Sequence, residues 1–248
     1  MWNGRFADYL PVKVSCGYGY PAMLVIVAFV SQKGGVGKST LARALAAVTA
    51  AYNIKVRVAD LDRRQHTVAS WQQRRLGSGA GPSFEVVSFN SVSEAIEAAS
   101  VGNELLIIDA PAGTTNHTLE IAKCAHLVVQ PTGGGIDDLD PAIILFHELV
   151  RAGVPRERLL MALCRIATVG EENAARSYVE KAQYTVLPGC IPERAAYREA
   201  HDHGRAVTET RLKALNERAD ALMGRLLSVI AEKVKARVLA AKSRGRIA

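Results

Sequence analysis

The chain lacks the features that mark membrane proteins and metal-thiolate proteins. Its 248 residues contain no apolar run near the 18 residues that a membrane-spanning helix needs. It has four cysteines and no Cys-x-x-Cys pair, with the thiols at Cys16, Cys124, Cys164 and Cys190. Because zinc clasps and iron–sulfur clusters need matched thiolates, we expect ordinary reduced thiols. His201 and His203 form a His-x-His pair without further ligands, which favours surface residues over a metal site.

Length and periodicity indicate an α/β fold. With 49% hydrophobic residues, the chain is long enough to cover a core well, so we expect one soluble domain. Apolar segments of strand length lie at 84–89, 105–109, 126–131, 159–163 and 185–190, and helical stretches lie at 91–100, 118–124 and 141–151. This alternation favours a doubly wound, mostly parallel sheet with helices on both faces and a ligand at its carboxyl edge.

A glycine-rich loop lies near the start of this pattern. Residues 32–40 read Gln-Lys-Gly-Gly-Val-Gly-Lys-Ser-Thr, between an apolar run at 23–30 and an Ala/Leu-rich stretch at 41–51. A triphosphate needs inward-pointing N–H groups, a tightly wrapped loop and the positive end of a helix dipole. Glycines allow that wrap because they accept positive φ and let the backbone approach the phosphates. The sequence therefore predicts a strand, a phosphate loop and a helix in this order.

The residue types of the loop predict ATP and Mg²⁺ as its ligands. Lys38 would neutralise the β and γ phosphates, and the Ser39 hydroxyl would hold Mg²⁺. The cofactor-binding residues predicted from the loop are Gly34, Gly35, Val36, Gly37, Lys38, Ser39 and Thr40. Gln32 stands where the ordinary motif has glycine, and an additional lysine, Lys33, precedes Lys38. The match is to the deviant form of the motif.

This form resembles the deviant Walker ATPases, the family that includes the plasmid partition ATPase ParA and the cell-division ATPase MinD. The likeness covers about residues 23–227, is strongest at the phosphate loop, and implies a phosphate-loop NTPase fold in a single domain. It also implies that Lys33 crosses a homodimer interface to touch the partner's nucleotide, so that ATP joins the dimer and hydrolysis dissolves it. Such a charge-assisted bond to phosphate belongs to a class worth about 1.5 to 3 kcal/mol.

A second apolar strand, at 54–60, ends in Asp60-Leu61-Asp62. This resembles the family's Asp-x-Asp-Pro-Gln switch segment and implies that Asp62 positions or activates the attacking water. Arg63 stands where proline is usual and Arg64-Gln65 where glutamine follows, so the detail of the switch loop departs from the family. By this resemblance the catalytic residues are Lys33, Lys38 and Asp62. The alternative for Asp62 is a solvated aspartate at a strand end.

The strand at 105–109 closes with Asp109-Ala110-Pro111-Ala112-Gly113, which resembles the family's Walker B region. The resemblance implies that Asp109 binds the Mg²⁺ shell through water. That role suits a hard cation which keeps several waters and takes one or two carboxylates. The alternative is a turn-forming aspartate before proline.

Further along the chain, Ile191-Pro192-Glu193-Arg194 resembles the family segment that borders the adenine. The family often has asparagine before a basic residue at the end of its sixth strand, where this chain has Cys164-Arg165. A thiol recognises the edge of adenine less well than an amide does. We therefore predict that Arg165 and the backbone near Pro192 contact the nucleotide, with adenine selection that is weak or rests on backbone groups.

The two ends of the chain differ from the central ATPase region, which we place at residues 23–207. Residues 1–22 show no periodicity and do not resemble a signal peptide. Because Met23 directly precedes the first strand, we expect natural initiation there and a disordered or non-native extension before it. The chain also lacks room for the N-terminal helix-turn-helix domain of larger partition ATPases. Residues 208–248 form the third segment, an amphipathic helix with a basic tail, packed on the same domain.

The carboxyl end carries nearly all the excess positive charge. From His201 onward the net charge is +6, against +7 for the chain, and helical spacing of apolar residues predicts one helix from about 208 to 239. The candidate DNA contacts are Lys233, Lys235, Arg237, Lys242, Arg244 and Arg246. A solvated face and a membrane-surface helix remain alternatives. Alanines rather than large aromatics accompany these lysines, which makes the membrane alternative the weakest.

The resemblance implies a small ParA-type partition ATPase in the cytoplasm, associated with the nucleoid. Its ATP-bound dimer would bind nonspecific DNA and hydrolyse ATP slowly, stimulated by a ParB-like centromere-binding partner. The alternatives are a MinD-like positioning ATPase at a membrane and an accessory ATPase of T-DNA transfer. A metabolic enzyme such as dethiobiotin synthetase shares the fold and the loop, but nothing in the sequence marks an acceptor pocket.

Overall fold

The computed structural model describes residues 24–62, 67–113 and 115–244, and side chains within these ranges except those of 67, 115 and 236–244. The strands are β1 Val25–Ser31, β2 Val56–Asp60, β3 Glu85–Ser88, β4 Leu105–Ala112, β5 Leu127–Thr132, β6 Leu159–Ile166 and β7 Thr185–Pro192. The helices are α1 Lys38–Ala51, α2 Thr67–Gly77, α3 Val92–Ala99, α4 Thr115–Cys124, α5 Ile136–Arg151, α6 Val169–Lys181, α7 Ala195–Asp202 and α8 Lys213–Arg244. The predicted extension at 1–22 and the switch residues Arg63 to Gln65 lie outside the described residues.

The strands form one sheet in the order β3-β2-β4-β1-β5-β6-β7, and every pairing is parallel. β1 lies at the centre, and all seven of its residues are buried. A strand covered on both faces has no solvent side, which explains why β1 is continuously apolar and does not alternate. The predicted α/β fold with a doubly wound, parallel sheet is confirmed.

Each face of the sheet has its own hydrophobic core. One core joins the sheet to α1, α2, α7 and α8, and the other joins it to α3, α4, α5 and α6. α1 contributes small residues such as Ala42 and Ala46, which are fully buried and let the helix lie close to the sheet. The loops that follow the strands meet at the carboxyl edge, where α1 begins.

Helix α8 begins at Lys213, later than the position near 208 that the periodicity predicts. The Asn216 side chain explains the difference. Its Oδ1 accepts the Thr210 N–H at 2.8 Å, and its Nδ2 donates to the Thr210 carbonyl at 2.9 Å. These bonds hold the chain before Lys213 in a turn. From there α8 packs on β7 and α1, and Val234 is the last of its side chains described as part of the core.

No helix within 24–62, 67–113 and 115–244 is long and apolar enough to cross a membrane.

Candidate nucleotide site

The glycine-rich loop connects the end of β1 to the start of α1 at the carboxyl edge of the sheet. Gly35 and Gly37 have φ values of +73° and +114°, a region that residues with a Cβ rarely adopt. A Cβ on Gly37 would also lie 3.2 Å from the Cys164 Sγ. Gly37 carries no side-chain cap for α1, so the first N–H groups of the helix point into the loop. This is the geometry that binds a phosphate.

The other predicted loop residues occupy the positions that such a loop requires. Gly34 is exposed, and a Cβ there would meet Ala112 at 3.9 Å, which is ordinary contact. Val36 is buried and anchors the loop to the core. Ser39 and Thr40 lie half-buried in the first turn of α1.

The Lys38 side chain folds over the loop. It is only 8% exposed, and its Nζ donates to the Lys33 carbonyl at 3.3 Å. Burial lowers the pKa of the Lys38 ammonium, while the nearby carboxylates of Asp109 and Asp62 raise it. The ammonium thus lies against the backbone of the loop, within electrostatic range of the Asp109 and Asp62 carboxylates.

Ser39 and Asp109 form the pair predicted to hold magnesium. The Ser39 hydroxyl donates to the Asp109 Oδ2 at 2.7 Å, whereas the Asp109 Oδ1 is buried without a hydrogen-bond partner among the described residues. Burial, with a smaller contribution from Asp60, raises the pKa of Asp109 to about 7 against the opposing effects of Ser39, Lys38 and Arg43. A buried oxygen without a partner beside a hydroxyl suits a hard, hydrated cation. The residues present therefore fit Mg²⁺.

Asp62 lies just beyond the end of β2 and is half-buried. In the sheet, Asp60 lies in register with Asp109, so the two strands bring their carboxylates to the same edge. The Asp62 backbone N–H donates to the Asp60 Oδ1 at 3.0 Å. Sequence reasoning assigned no role to Asp60, although an aspartate that closes an apolar strand was a signal that could have found one. The structure buries this aspartate fully.

Lys33 is held within its own chain. Its backbone N–H donates to the Ser31 Oγ at 3.1 Å, and its side chain forms an ion pair with Asp138 at the start of α5. The side chain is 48% exposed and lies at the rim of the loop. Asp138 is a second residue that the sequence analysis did not assign.

Arg165 lies beside the phosphate loop. Its Nη1 donates to the Gly35 carbonyl at 3.4 Å, its Nε lies 3.3 Å from the Glu193 Oε2, and its φ of +59° is unusual for a residue with a Cβ. Pro192 is buried at the end of β7. Cys164 is only 2% exposed behind Gly37, and burial raises the pKa of its thiol to about 12. Cys164 therefore supports the loop by packing.

Of the predicted DNA contacts, the structure describes the side chains of Lys233, which is half-buried, and Lys235, which is exposed. The side chains of Arg237, Lys242 and Arg244 and all of Arg246 lie outside the described residues. Among described residues, no group of three or more His, Cys, Asp or Glu could hold a metal ion by itself.

A parallel sheet with a glycine loop between its central strand and a helix, a buried lysine and a Ser–Asp pair defines a phosphate-loop nucleotide-binding protein. The sequence matches the CobQ/CobB/MinD/ParA nucleotide binding domain over residues 27–243. The chain therefore belongs to this family, and the resemblance found in the sequence is confirmed. No curated protein gives a significant match.

Solved structures share the fold at low sequence identity. The MinC:MinD cell division complex of Aquifex aeolicus has 15% identity and a TM-score of 0.66, covering 82% of this chain and 96% of that chain. MinD of Pyrococcus horikoshii, complexed with Mg-ADP, has 19% identity, a TM-score of 0.64 and coverages of 86% and 96%. A plasmid partition protein of Borrelia burgdorferi has 17% identity, a TM-score of 0.54 and coverages of 83% and 99%.

Proposed function

We propose that the protein is an ATPase of the partition type, a switch that dimerises with ATP and releases its dimer on hydrolysis. The observation that carries this proposal is the pair of lysines at the phosphate loop. Lys38 is buried over the loop, whereas Lys33 lies exposed at its rim, where a second subunit could be reached. Membership of a family that includes both ParA and MinD supports the proposal.

In this proposal the nucleotide is ATP with Mg²⁺. The N–H groups at the start of α1 and the Lys38 ammonium would bind the phosphates, and Ser39 and Asp109 would hold the cation, Asp109 through water. Mg²⁺, when bound, would neutralise charge on the phosphates. Arg165 and the backbone near Pro192 would border the base, since Arg165 already contacts the loop at Gly35.

Hydrolysis would be slow because one subunit supplies a residue that positions the water but not all of the positive charges that stabilise the transition state. Asp62 lies close enough to the Lys38 ammonium to affect it electrostatically, so it would hold a water near the phosphates. Lys33 of each subunit would reach the partner's nucleotide. A site completed only by dimerisation and stimulated by a ParB-like partner would act as a timer.

The closed dimer would bind nonspecific DNA through the basic end of α8. Lys233, which is half-buried, and Lys235, which is exposed, lie on either side of Val234, the last described core side chain of α8, and dimerisation doubles the number of basic side chains available. Six phosphate contacts per dimer would give a logarithmic salt slope of about −5, because each neutralised phosphate releases counterions. Binding of this kind needs no side chain that recognises a base.

The test is a mobility shift on nonspecific duplex DNA with ATP, ADP or no nucleotide, using the wild type and Asp62→Ala. We expect binding that needs ATP and persists in Asp62→Ala, with the stated salt dependence. Removal of residues from Glu232 onward should abolish it. If instead no state binds DNA and the same truncation abolishes binding to anionic liposomes, the MinD-like alternative is correct. ATP turnover that requires a small acceptor would favour a metabolic enzyme.

A further inference from the structure

A single buried carboxylate, that of Asp60, binds the backbone of Asp62 and the backbone at the start of α2. Asp60 is the last residue of β2 and is fully buried. Its Oδ1 accepts the Asp62 N–H at 3.0 Å, and its Oδ2 accepts the N–H groups of Val68 and Ala69, each at 3.2 Å. Asp60 therefore connects the end of a strand to the first turn of α2, with Asp62 between them.

These hydrogen bonds define what Asp60 can do. A carboxylate offers about four acceptor positions, and backbone N–H groups take three of those on Asp60. Two of the three donors open α2, where the helix leaves N–H groups unsatisfied and a negative charge is favourable. The carboxylate is thus committed to the backbone, which suits a positioning group better than a metal ligand or a general base.

The other side of α2 is fixed as well. The Trp71 Nε1 donates to the Arg205 carbonyl at 3.2 Å. The guanidinium of Arg75, which is 1% exposed, binds Glu209 with two hydrogen bonds of 2.7 and 2.8 Å. α2 is therefore anchored to the segment before α8 as well as to Asp60.

We propose that Asp60 is the positioning residue for Asp62 in ATP hydrolysis. It sets the backbone of Asp62 relative to β2 and α2, and so fixes the place from which the Asp62 carboxylate would hold the attacking water. Small displacements of a reacting group lower rates strongly even when binding is unchanged. The inference rests on the proposed function, because it assigns Asp60 a part in the same reaction.

The experiment uses the full chain with Asp60→Asn, which keeps the size of the side chain but places a donor where a carboxylate oxygen accepts. At least one of the three N–H bonds must then be lost. We expect ATP affinity within about 3-fold of the wild type, since Lys38, Ser39 and Asp109 are untouched. Single-turnover hydrolysis should fall about 10- to 100-fold.

The matched control is Ser91→Ala. The Ser91 Oγ accepts the Glu94 N–H at 3.2 Å and caps α3, which also follows a strand at the carboxyl edge. Its removal costs a helix cap without affecting the hydrogen bonds of Asp60. We expect a lower melting temperature and an unchanged rate of hydrolysis.

The outcomes separate the two proposals. Hydrolysis by Asp60→Asn at the wild-type rate overturns the positioning role and leaves the ATPase standing. If ATP affinity and the rate of hydrolysis fall by similar factors, the positioning role is also overturned, because Asp60 would then only support the structure of the site. A wild type that does not hydrolyse ATP in single turnovers with DNA present overturns the proposed function and this role with it.

If Asp60→Asn does not fold, amide hydrogen exchange of the wild type provides the test. The N–H groups of Val68 and Ala69 lie in the first turn of α2 and would exchange quickly without a partner. We expect both to exchange as slowly as the amides of β2. Fast exchange at both positions overturns the role of Asp60.

Discussion

The ammonium of Lys33 is paired with the carboxylate of Asp138 in the same chain, and it also lies 3.4 Å from the carbonyl of Asp137. The two side chains are 48% and 21% exposed, so the pair is of the solvent-exposed kind that contributes about 1 kcal/mol or less. A hydrogen bond from the same lysine to a phosphate belongs to a stronger class, about 1.5 to 3 kcal/mol. In the proposed dimer, Lys33 would exchange the weaker partner for the stronger one.

Removing this intramolecular partner should therefore favour the dimer. We expect Asp138→Asn to lower the dissociation constant of the ATP-bound dimer by about 2- to 5-fold, the equivalent of one exposed ion pair. Mass photometry over a concentration series measures it. Asp137→Asn is the control, because Asp137 contacts Lys33 only through its backbone carbonyl in the described contacts. A weaker dimer in Asp138→Asn would show that Asp138 itself contacts the partner.

The two lysines should separate binding from dimerisation. Lys38→Ala should lower ATP affinity about 10- to 100-fold, since a charge-assisted bond to phosphate is lost. Lys33→Ala should leave ATP binding by the monomer within about 2-fold. Isothermal titration of the monomer with ATP and Mg²⁺ tests both. The control is Lys55→Ala, because Lys55 is an exposed lysine at the amino end of β2. If Lys38→Ala binds ATP as tightly as Lys55→Ala does, the proposed nucleotide site is contradicted.

Stability should fall in mild acid through His201. Burial, together with the nearby charges of Arg43 and Arg74, lowers the pKa of this imidazole to about 4. Since the unfolded histidine takes up its proton near pH 6.5, the stabilisation is complete above that pH and is lost as the pH falls towards 4. The unfolding free energy of the wild type should be larger at pH 7 than at pH 5. We expect His201→Gln to reduce this difference by roughly 1 to 2 kcal/mol. Urea unfolding at the two pH values measures it, and an unchanged difference would contradict the buried, neutral imidazole.

The contact between Gly204 and α2 should make Gly204→Ala strongly destabilising. A Cβ at Gly204 would lie 2.2 Å from the Arg75 backbone nitrogen, and the φ of Gly204 is +68°. Gly79 has a nearly equal φ of +65° with nothing within 4 Å of a Cβ, so Gly79→Ala isolates the cost of the conformation. We expect about 1 kcal/mol for Gly79→Ala and at least 2 kcal/mol more for Gly204→Ala. Equal losses in urea unfolding would show that α2 is free to shift.

The sequence predicted the parts of the site that depend on local pattern. The glycine loop with Lys38 follows β1, Asp62 follows β2, and Asp109 lies in the carboxyl half of β4. Parallel strands bring their carboxyl ends to one edge of the sheet. The contact of Lys33 with Asp138 joins residues 105 positions apart, so it depends on the order of β1 and β5 in the sheet. The link from Asp60 to α2 depends on a helix that the periodicity did not predict.

The start of α8 is another feature that the sequence pattern did not predict correctly. The apolar spacing extended the predicted helix to about residue 208, but one amide side chain, that of Asn216, binds Thr210 and delays the helix to Lys213. Side-chain hydrogen bonds to the backbone compete with a helix in a way that hydrophobic periodicity does not register.

Sedimentation velocity with Mg²⁺ tests the central claim most directly, comparing Asp62→Ala with the double variant Asp62→Ala, Lys33→Ala. We predict that ATP converts Asp62→Ala into a stable dimer, that ADP does not, and that the double variant stays monomeric with ATP bound. A monomer in every nucleotide state, or a dimer that forms equally well without Lys33, would contradict the account.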